Sequence, residues 1–240
     1  MGGVDPKEIE KFEQMAHEWW DPDGRFKPLH RINPLRTDYI CARLAGGRDR
    51  ELTGLRLLDI GCGGGILAES LAELGAEVVG IDRSDKIIGV ARAHQQTSGS
   101  RVAYRVQSAA ELGAAEPASF DGVLAMEVLE HVPHVPGFLK DCAALLKPGG
   151  HFFFATLNRT PKAWALAIIG AEYLLRWLPR GTHQYDRFVR PGELTRWARE
   201  VGLTVKDVTG MSYSPLRDAW SLGRDASVNY LGYGLRDAGG

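Results

Sequence analysis

The chain has 240 residues, 29 of them basic and 30 acidic, so its formal net charge is −1 at neutral pH. This balance excludes the broad basic surface of a nucleic-acid-binding protein, and three widely spaced cysteines exclude a disulfide framework. Because no signal-like segment opens the chain and no apolar run reaches the ~18 residues of a membrane-spanning helix, a cytoplasmic protein is expected.

The first fifty residues predict helices placed ahead of the main domain. Residues 5–17 have the apolar spacing of an amphipathic helix, and a second helix is expected from 34 to about 44. Residues 30–36 (HRINPLR), which overlap the start of this second helix, follow neither a helical nor a strand period. We expect a loop there that serves a site, because loops rich in hydrogen-bonding groups often do.

Strand and helix patterns alternate from residue 55 onward, which predicts a parallel sheet with crossover helices. The predicted strands cover residues 55–60, 77–82, 102–106, 120–126 and 151–157, and the predicted helices between them cover 66–74, 85–96 and 138–146. The rhythm then changes to an unusually apolar helix at 163–178, a helix at 191–201 and strand-like segments at 203–209 and 228–233.

The motif LLDIGCGGG at residues 57–65 joins a predicted strand to a predicted helix. Its glycines allow a sharp turn and let a ligand approach the backbone without meeting a Cβ. A dinucleotide-binding G-x-G-x-x-G pattern counted from Gly61 would need a small residue where Ile66 stands. Asp59, just before the glycines, would repel a pyrophosphate. It suits the cationic S-adenosylmethionine (SAM), which has no phosphate.

A second acidic residue, Asp82, ends the next predicted strand about 20 residues further on, where a carboxylate can bind a ribose diol. We therefore predict SAM contacts at Asp59, Gly61, Gly63 and Asp82. Met126, at the end of the fourth strand, is expected to border the adenine or methionine part of SAM. A ligand-free glycine-rich turn and an NAD site remain alternatives.

Glu127, Glu130 and His131 follow the fourth strand in MEVLEHVP, and in a helical turn they would share one face. Ligands bind at this edge of parallel sheets. Two functional interpretations stay open: a divalent-metal site formed by all three side chains, and a general base, His131 or Glu130, for the acceptor. Simple capping of the turn is the third interpretation.

Two further features indicate how cofactor and acceptor could be held. Arg36 can bind the carboxylate of SAM through two parallel hydrogen bonds, although a surface arginine that caps a helix is an equal alternative. Residues 163–179 (AWALAIIGAEYLLRWLP) are apolar on nearly every face and are flanked by basic residues. This composition favours a helix at a bilayer surface or a lid over a lipid-tailed substrate, with a core or dimer helix as the alternative.

The chain resembles the UbiG family, the O-methyltransferases of ubiquinone biosynthesis, over nearly its whole length. The first and last of the segments that carry the resemblance are far more specific than general methyltransferase motifs. These segments are WWDPDGRFKPLHRINPLR at 19–36, LLDIGCGGGILAESLAELGA at 57–76, MEVLEHVP at 126–133, LLKPGGHFFFATLNRTPKAW at 145–164 and AEYLLRWLPRGTH at 171–183.

This resemblance implies an α/β class I SAM-dependent methyltransferase with a Rossmann-like, seven-strand, mostly parallel sheet whose last strand is antiparallel. One domain is expected to span residues 1–240. It would comprise an N-terminal helical cap (1–50), a SAM-binding core (51–158), a helical insertion after the fifth strand (159–190) and a C-terminal helix with strands (191–240).

The resemblance also implies O-methylation of polyprenylated hydroxyphenols and catechols, including 3-demethylubiquinol, with SAM contacts at Arg36, Gly61, Asp82 and Met126. Eukaryotic relatives are assigned a divalent cation through the E-x-x-E-H group. Magnesium or another divalent cation is therefore left open here, at positions 127, 130 and 131.

The expected partner is the polyprenylated phenol or quinol itself, and no nucleic acid is expected. Association with the inner face of the cytoplasmic membrane and with other enzymes of ubiquinone biosynthesis stays open. The alternative functions are an NAD-dependent oxidoreductase, a catalytically silent SAM-binding member of an assembly, and a methyltransferase for another lipid or phenol.

Overall fold

The computed structural model describes residues 6–46, 50–165, 185–214 and 219–238. Two helices precede the sheet, α1 (Pro6–Met15) and α2 (Lys27–Leu44). The alternating part follows with β1 (Arg56–Ile60), α3 (Ile66–Glu73), β2 (Glu77–Asp82), α4 (Asp85–Ser98), β3 (Ala103–Val106), α5 (Ala109–Ala115), β4 (Phe120–Met126), α6 (Val135–Leu145) and β5 (Leu146–Leu157). The remaining elements are the helical turn α7 (Pro161–Ala163), α8 (Pro191–Glu200), β6 (Leu203–Ser214), β7 (Ala219–Gly223) and β8 (Asn229–Arg236).

Within the described ranges the strands form one sheet in the order β3-β2-β1-β4-β5-β8-β6-β7. Strands β1 to β5 pair in parallel, and β8 lies antiparallel between β5 and β6. The expected Rossmann-like α/β architecture with an antiparallel last strand is confirmed. The expected number of seven strands is wrong, because β7 adds an eighth by pairing with the edge of β6.

Helix α2 corrects the prediction for residues 30–36, which form helix instead of loop. Pro34 lies inside α2, where it has no N–H to give to the carbonyl of residue 30. The buried face of α2 mixes apolar Ile32 and Ile40 with polar Asn33 and Arg36. A face of this kind has no apolar period, which is why the sequence pattern concealed the first part of a helix that was predicted only from residue 34.

Helix α5 was not predicted, although Ser108 and Glu111 form a reciprocal capping box at its start. Strand β5 begins at Leu146, five residues before the predicted start at 151. The difference in β5 lies at an element end, where boundaries are least certain, whereas α5 is a short helix of seven residues.

The sheet is covered on both faces, and this burial explains its continuous apolar runs. In β5, Phe152 and Phe154 pack into one core cluster with α6 and α8, whereas Phe153 packs into the other with α2 and α3. The apolar helix predicted at 163–178 lies almost wholly outside the described residues. No helix of the described part is long and apolar enough to cross a membrane.

Candidate active site

A cavity of about 300 Å³ lies where β1, β2, β4 and β5 reach their carboxyl ends. In the order of the strands, the glycine loop and Asp82 line one end of the cavity, Met126 at the end of β4 lines the middle, and Leu157 and Asn229 line the other end. Arg36 of α2 lines it as well. Side chains from α1 and α2 also line it. The ends of the parallel strands and the N-terminal cap therefore enclose one site.

The glycine loop needs its glycines for conformation and for space. Gly61 and Gly63 have φ angles of 68° and 56°, in the left-handed region that favours glycine. A Cβ at Gly61 would lie 2.7 Å from Cγ2 of Val128, and one at Gly63 would overlap the indole of Trp19. The N–H of Gly61 donates to the carbonyl of Ile81 at 2.8 Å, which holds the loop beside β2.

Asp82 ends β2 next to this loop. Its Oδ1 accepts a hydrogen bond from the N–H of Ser84 at 3.0 Å. Burial raises the pKa of Asp82, and N–H groups of Ser84, Gly63 and Arg83 oppose that rise. An acidic group held beside Gly63 in this way can accept hydrogen bonds from a ribose diol.

Three charged side chains meet in the middle of the cavity. Arg36 Nη1 donates to Oε2 of Glu127 at 2.6 Å, and Asp59 is 4% exposed. Burial raises the pKa of Asp59 to about 7, an effect that Arg36 opposes and that Glu127 and Asp82 reinforce. Within the described residues, Nε of Arg36 is buried without a hydrogen-bond partner.

These charges fit the amino-acid end of SAM. A guanidinium with an unused N–H can bind a carboxylate, and buried acids beside it can stabilise an ammonium or a sulfonium. Arg36, Asp59, Gly61, Gly63 and Asp82 all line the cavity together with Met126, which is 7% exposed. The structure thus brings all six predicted cofactor-binding residues to one cavity.

The acidic cluster after β4 is arranged differently from the prediction. Glu127 has a φ angle of 53°, in the left-handed region, and a short 3₁₀ helix begins only at Leu129. Such a conformation is uncommon for a residue with a Cβ, and strained residues of this kind tend to cluster at functional sites. Glu127 therefore does not share a helical face with Glu130 and His131.

Glu130 and His131 both line the cavity. The carboxylate of Glu130, a residue that is 5% exposed, accepts a hydrogen bond from Oγ1 of Thr156 at 2.7 Å. The ring of His131 meets Phe12 of α1 edge-on, with 5.5 Å between the ring centroids. Thr156 was missed by the sequence analysis, because a single threonine at a strand end carries no recognisable pattern.

The predicted metal ligands do not form a metal site in this structure. Glu127 is paired with Arg36, and Glu130 is bonded to Thr156. Among the described residues, no three histidine, cysteine or acidic side chains are grouped so that they could hold a metal ion. The donor set therefore does not fit a divalent cation, and we derive no catalytic step from one.

The tandem tryptophans of the cap both contact the glycine loop, and Trp19 also lines the cavity, which the sequence analysis did not predict. The indole of Trp19 packs over Gly63 and Gly64 and stacks on Phe26 with 4.0 Å between ring centroids. Trp20 Nε1 donates to the carbonyl of Gly64 at 2.9 Å. The sequence WW could have indicated such a packing role, because large aromatic side chains outside a periodic segment usually bury their rings against another part of the fold.

A family model described as a methyltransferase domain matches residues 36–208. The ubiquinone biosynthesis O-methyltransferase of Nitrosospira multiformis is 54% identical over 228 residues, which cover 95% of this chain and 93% of the relative. The enzyme of the same name from Thiobacillus denitrificans is 51% identical, over 99% of this chain and 100% of the relative.

Among solved structures, a magnesium protoporphyrin IX methyltransferase from Synechocystis with bound SAM matches this chain with a TM-score of 0.64. The match covers 98% of this chain and 99% of that one, at 20% sequence identity. At this identity the match supports the fold and nothing finer.

Proposed function

The chain belongs to the ubiquinone biosynthesis O-methyltransferases, and from this membership we propose that it methylates phenolic hydroxyls of polyprenylated hydroxyphenols and catechols, including 3-demethylubiquinol. Near-full-length identities of 54% and 51% to family members establish the membership. The protein is thus a SAM-dependent O-methyltransferase of ubiquinone biosynthesis, and its acceptor is a prenylated phenol. The observation that carries the proposal is that one cavity holds the glycine loop, the charged cluster and Glu130 with His131.

When bound, SAM supplies a methyl group attached to a positively charged sulfur. Gly61 and Gly63 would leave room for SAM at the loop, and Asp82 would accept hydrogen bonds from its ribose. Arg36 would bind the cofactor's carboxylate through the N–H groups that Glu127 does not use. Asp59 would stabilise the cofactor's positive charge, and Met126 would border its methionine part.

Glu130 and His131 are proposed to remove the phenolic proton. A phenol has a pKa near 10, so a base is needed for the oxygen to act as a nucleophile at neutral pH. Thr156 donates to the Glu130 carboxylate, which holds that side chain at the cavity wall. Most of the remaining acceleration would come from positioning, since the cavity can fix both reactants in line.

The direct test measures transfer of labelled methyl from SAM to demethylubiquinol and to a polyprenyl catechol. We expect transfer to both acceptors, with or without magnesium and after treatment with EDTA. If neither acceptor is methylated, the proposed function is refuted. If EDTA abolishes activity and magnesium restores it, the conclusion that Glu127, Glu130 and His131 do not form a metal site is wrong.

Two alternative functions are distinguished by binding and turnover. An NAD-dependent enzyme would shift its melting temperature with NADH, whereas we expect the shift with SAM. A silent SAM-binding protein would show that shift without any methyl transfer.

The domain organisation also belongs to the proposal. Residues 1–50 are inferred to form a cap that covers a core at 51–158, within one domain of residues 1–240.

We also propose that residues 163–179 place the protein at the membrane surface, where a polyprenylated acceptor is dissolved. The support is sequence composition alone: an apolar segment with Trp164, Tyr173 and Trp177 and with basic flanks. Trp177→Asp should reduce co-sedimentation with anionic liposomes, while Leu222→Asp, at an exposed apolar residue elsewhere, should not. Equal sedimentation of both variants would refute this placement.

A further inference from the structure

Asn229 is the first residue of β8 and lies at the end of the cavity away from the glycine loop. It pairs with Leu157 of β5 on one side and with Met211 of β6 on the other. Both neighbours also line the cavity. Since Asn229 is paired on both sides within the sheet, its backbone position in the cavity wall is fixed by β5 and β6.

Within the described part of the chain, Oδ1 of Asn229 is buried and has no hydrogen-bond partner. Buried polar atoms in proteins are almost always bonded, so an orphaned one needs an explanation. Of the described residues with such an atom, Arg36 and Asn229 line this cavity. Arg36 faces the amino-acid end of the cofactor in the proposed function, and Asn229 lies on the opposite, acceptor side.

Around Asn229 the cavity wall is otherwise apolar or already bonded. Leu157 and Met211 offer no strong hydrogen-bonding group, and Thr156 gives its hydroxyl proton to Glu130. An aromatic acceptor would rest on the apolar side chains. A hydroxyl of that acceptor that is not being methylated would then need a partner on this wall.

We propose that Asn229 binds the neighbouring hydroxyl of a vicinal pair on the acceptor ring, so that the enzyme selects catechol-type rings over simple phenols. The inference rests on the proposed function, because it assigns a residue to the acceptor of that reaction. Oδ1 accepts the proton of the neighbouring hydroxyl, and Nδ2 can donate to its oxygen. The second hydroxyl thereby orients the ring and presents the first one for methylation.

The test compares two short-chain acceptors: a prenylated catechol and the matching prenylated phenol that lacks the second hydroxyl. Asn229→Ala should lower kcat/KM for the catechol about tenfold, the value of one hydrogen bond, and leave the phenol within about twofold. Asn229→Asp keeps an acceptor oxygen and should restore most of the preference for the catechol. The SAM dissociation constant and melting temperature should stay near those of the unmodified protein.

Asn158→Ala is the matched control, because Asn158 lies near the same sheet edge but its Nδ2 already donates to the carbonyl of Ala226 at 2.8 Å. It should leave the ratio of the two acceptors unchanged. Equal losses on both acceptors in Asn229→Ala would overturn the inference, as would an unchanged preference. If the unmodified protein methylates neither acceptor, the proposed function fails and this inference fails with it.

Discussion

The carboxyl group of Asp59 lies buried at the end of β1, close enough to Arg36 for the guanidinium to lower its pKa, yet its pKa is still raised to about 7. Glu127 and Asp82 contribute to that rise. A cationic ligand placed beside these acids would favour their ionised forms. Binding of SAM should therefore be coupled to loss of a proton from Asp59.

The sign of this coupling gives a first prediction. Below pH 7 Asp59 binds a proton in the free protein, and SAM must displace it, so SAM affinity should rise from pH 5.5 to 7.5. The rise should reach at most about tenfold per pH unit. Asp59→Asn should bind SAM weakly and with little dependence on pH. Calorimetric titrations across this window test it, and a flat profile for the unmodified protein would contradict it.

The Glu130–Thr156 pair supplies a second prediction at this scale. Glu130→Gln keeps the shape but removes the base, so kcat should fall by about 100-fold or more. Thr156→Val should cause a smaller loss, about tenfold, because the carboxylate remains without its orienting hydrogen bond. SAM affinity should be unchanged in both. Thr195→Val serves as the control, since its hydroxyl bonds to the carbonyl of Pro191 on α8.

If Glu130→Gln keeps full activity and His131→Gln loses it, His131 is the base. Full activity in both variants would remove the whole cluster from proton transfer. These outcomes are separable from unfolding by the melting temperature and by SAM binding, which should match those of the unmodified enzyme.

At the scale of elements, the N-terminal cap completes the end of the cavity that the glycine loop lines. Its contacts reach both sides of the site: Glu13 of α1 accepts a hydrogen bond from Oγ of Ser84 at 2.5 Å, and Phe12 meets His131. After α1, Trp19 lies across Gly63 and Gly64. We therefore expect the cap to shift when a cofactor enters or leaves the glycine loop.

A third prediction follows from Gly64, whose φ angle is not in the left-handed region, so its substitution tests space alone. A Cβ there would overlap the indole of Trp19, and Gly64→Ala should weaken SAM binding by displacing the cap. Trp19→Ala should weaken it as well. In the double variant the losses should not add, because both act through one contact. Additive losses in the calorimetric dissociation constants would contradict this coupling.

At the scale of the whole molecule, α2 connects the cap to the antiparallel half of the sheet. Tyr39 Oη donates to Oδ2 of Asp207 in β6 at 2.6 Å, and Arg43 Nη2 donates to the same oxygen at 2.8 Å. Burial alone would raise the pKa of Asp207, but hydrogen bonds from Tyr39, Thr209 and Arg43 hold it below its usual value. Arg43 also lies 3.3 Å above the ring of Tyr39.

The fourth prediction concerns stability. Tyr39→Phe should lower the free energy of unfolding by about 1 kcal/mol at pH 7, a value reduced for the partial exposure of Asp207. Because the folded-state pKa of Asp207 is lowered, its contribution is present above its unfolded pKa near 4 and is lost as the pH falls further. Urea unfolding should therefore show a smaller difference at pH 3. Thr204→Val, at an exposed hydrogen bond on the same strand, should change stability little.

The parts of the fold that local pattern encodes were predicted well. Strands β2 and β4 have the predicted bounds and β1 differs by one residue, because buried parallel strands are continuous apolar runs that end in glycine or acid. The first seven residues of helix α2, 27–33, and the whole of strand β7 were not predicted. The buried face of α2 is part polar because it faces the cavity, and β7 is a five-residue, mostly exposed edge strand.

The same division holds in the cavity. The glycine loop and its two aspartates could be predicted because their spacing along the chain reflects a strand, a turn and a helix. The prediction that Glu127, Glu130 and His131 share a helical face was wrong, because Glu127 takes a left-handed conformation that residue spacing cannot reveal. The roles of Thr156 and Asn229 depend on neighbours in other strands, which no local period specifies.

The sequence by itself determined the α/β architecture, the SAM-type loop and the family. Glycine positions, strand ends and the long segments that resemble the family are local properties of the chain. Only the tertiary structure decided how the charges combine. It paired Arg36 with Glu127 across 91 positions of the chain, and it put Trp19 over the glycine loop. It also left Oδ1 of Asn229, a residue of the cavity wall, without a hydrogen-bond partner among the described residues. Such contacts depend on strand register and burial, which bring together residues whose separation in sequence carries no signal.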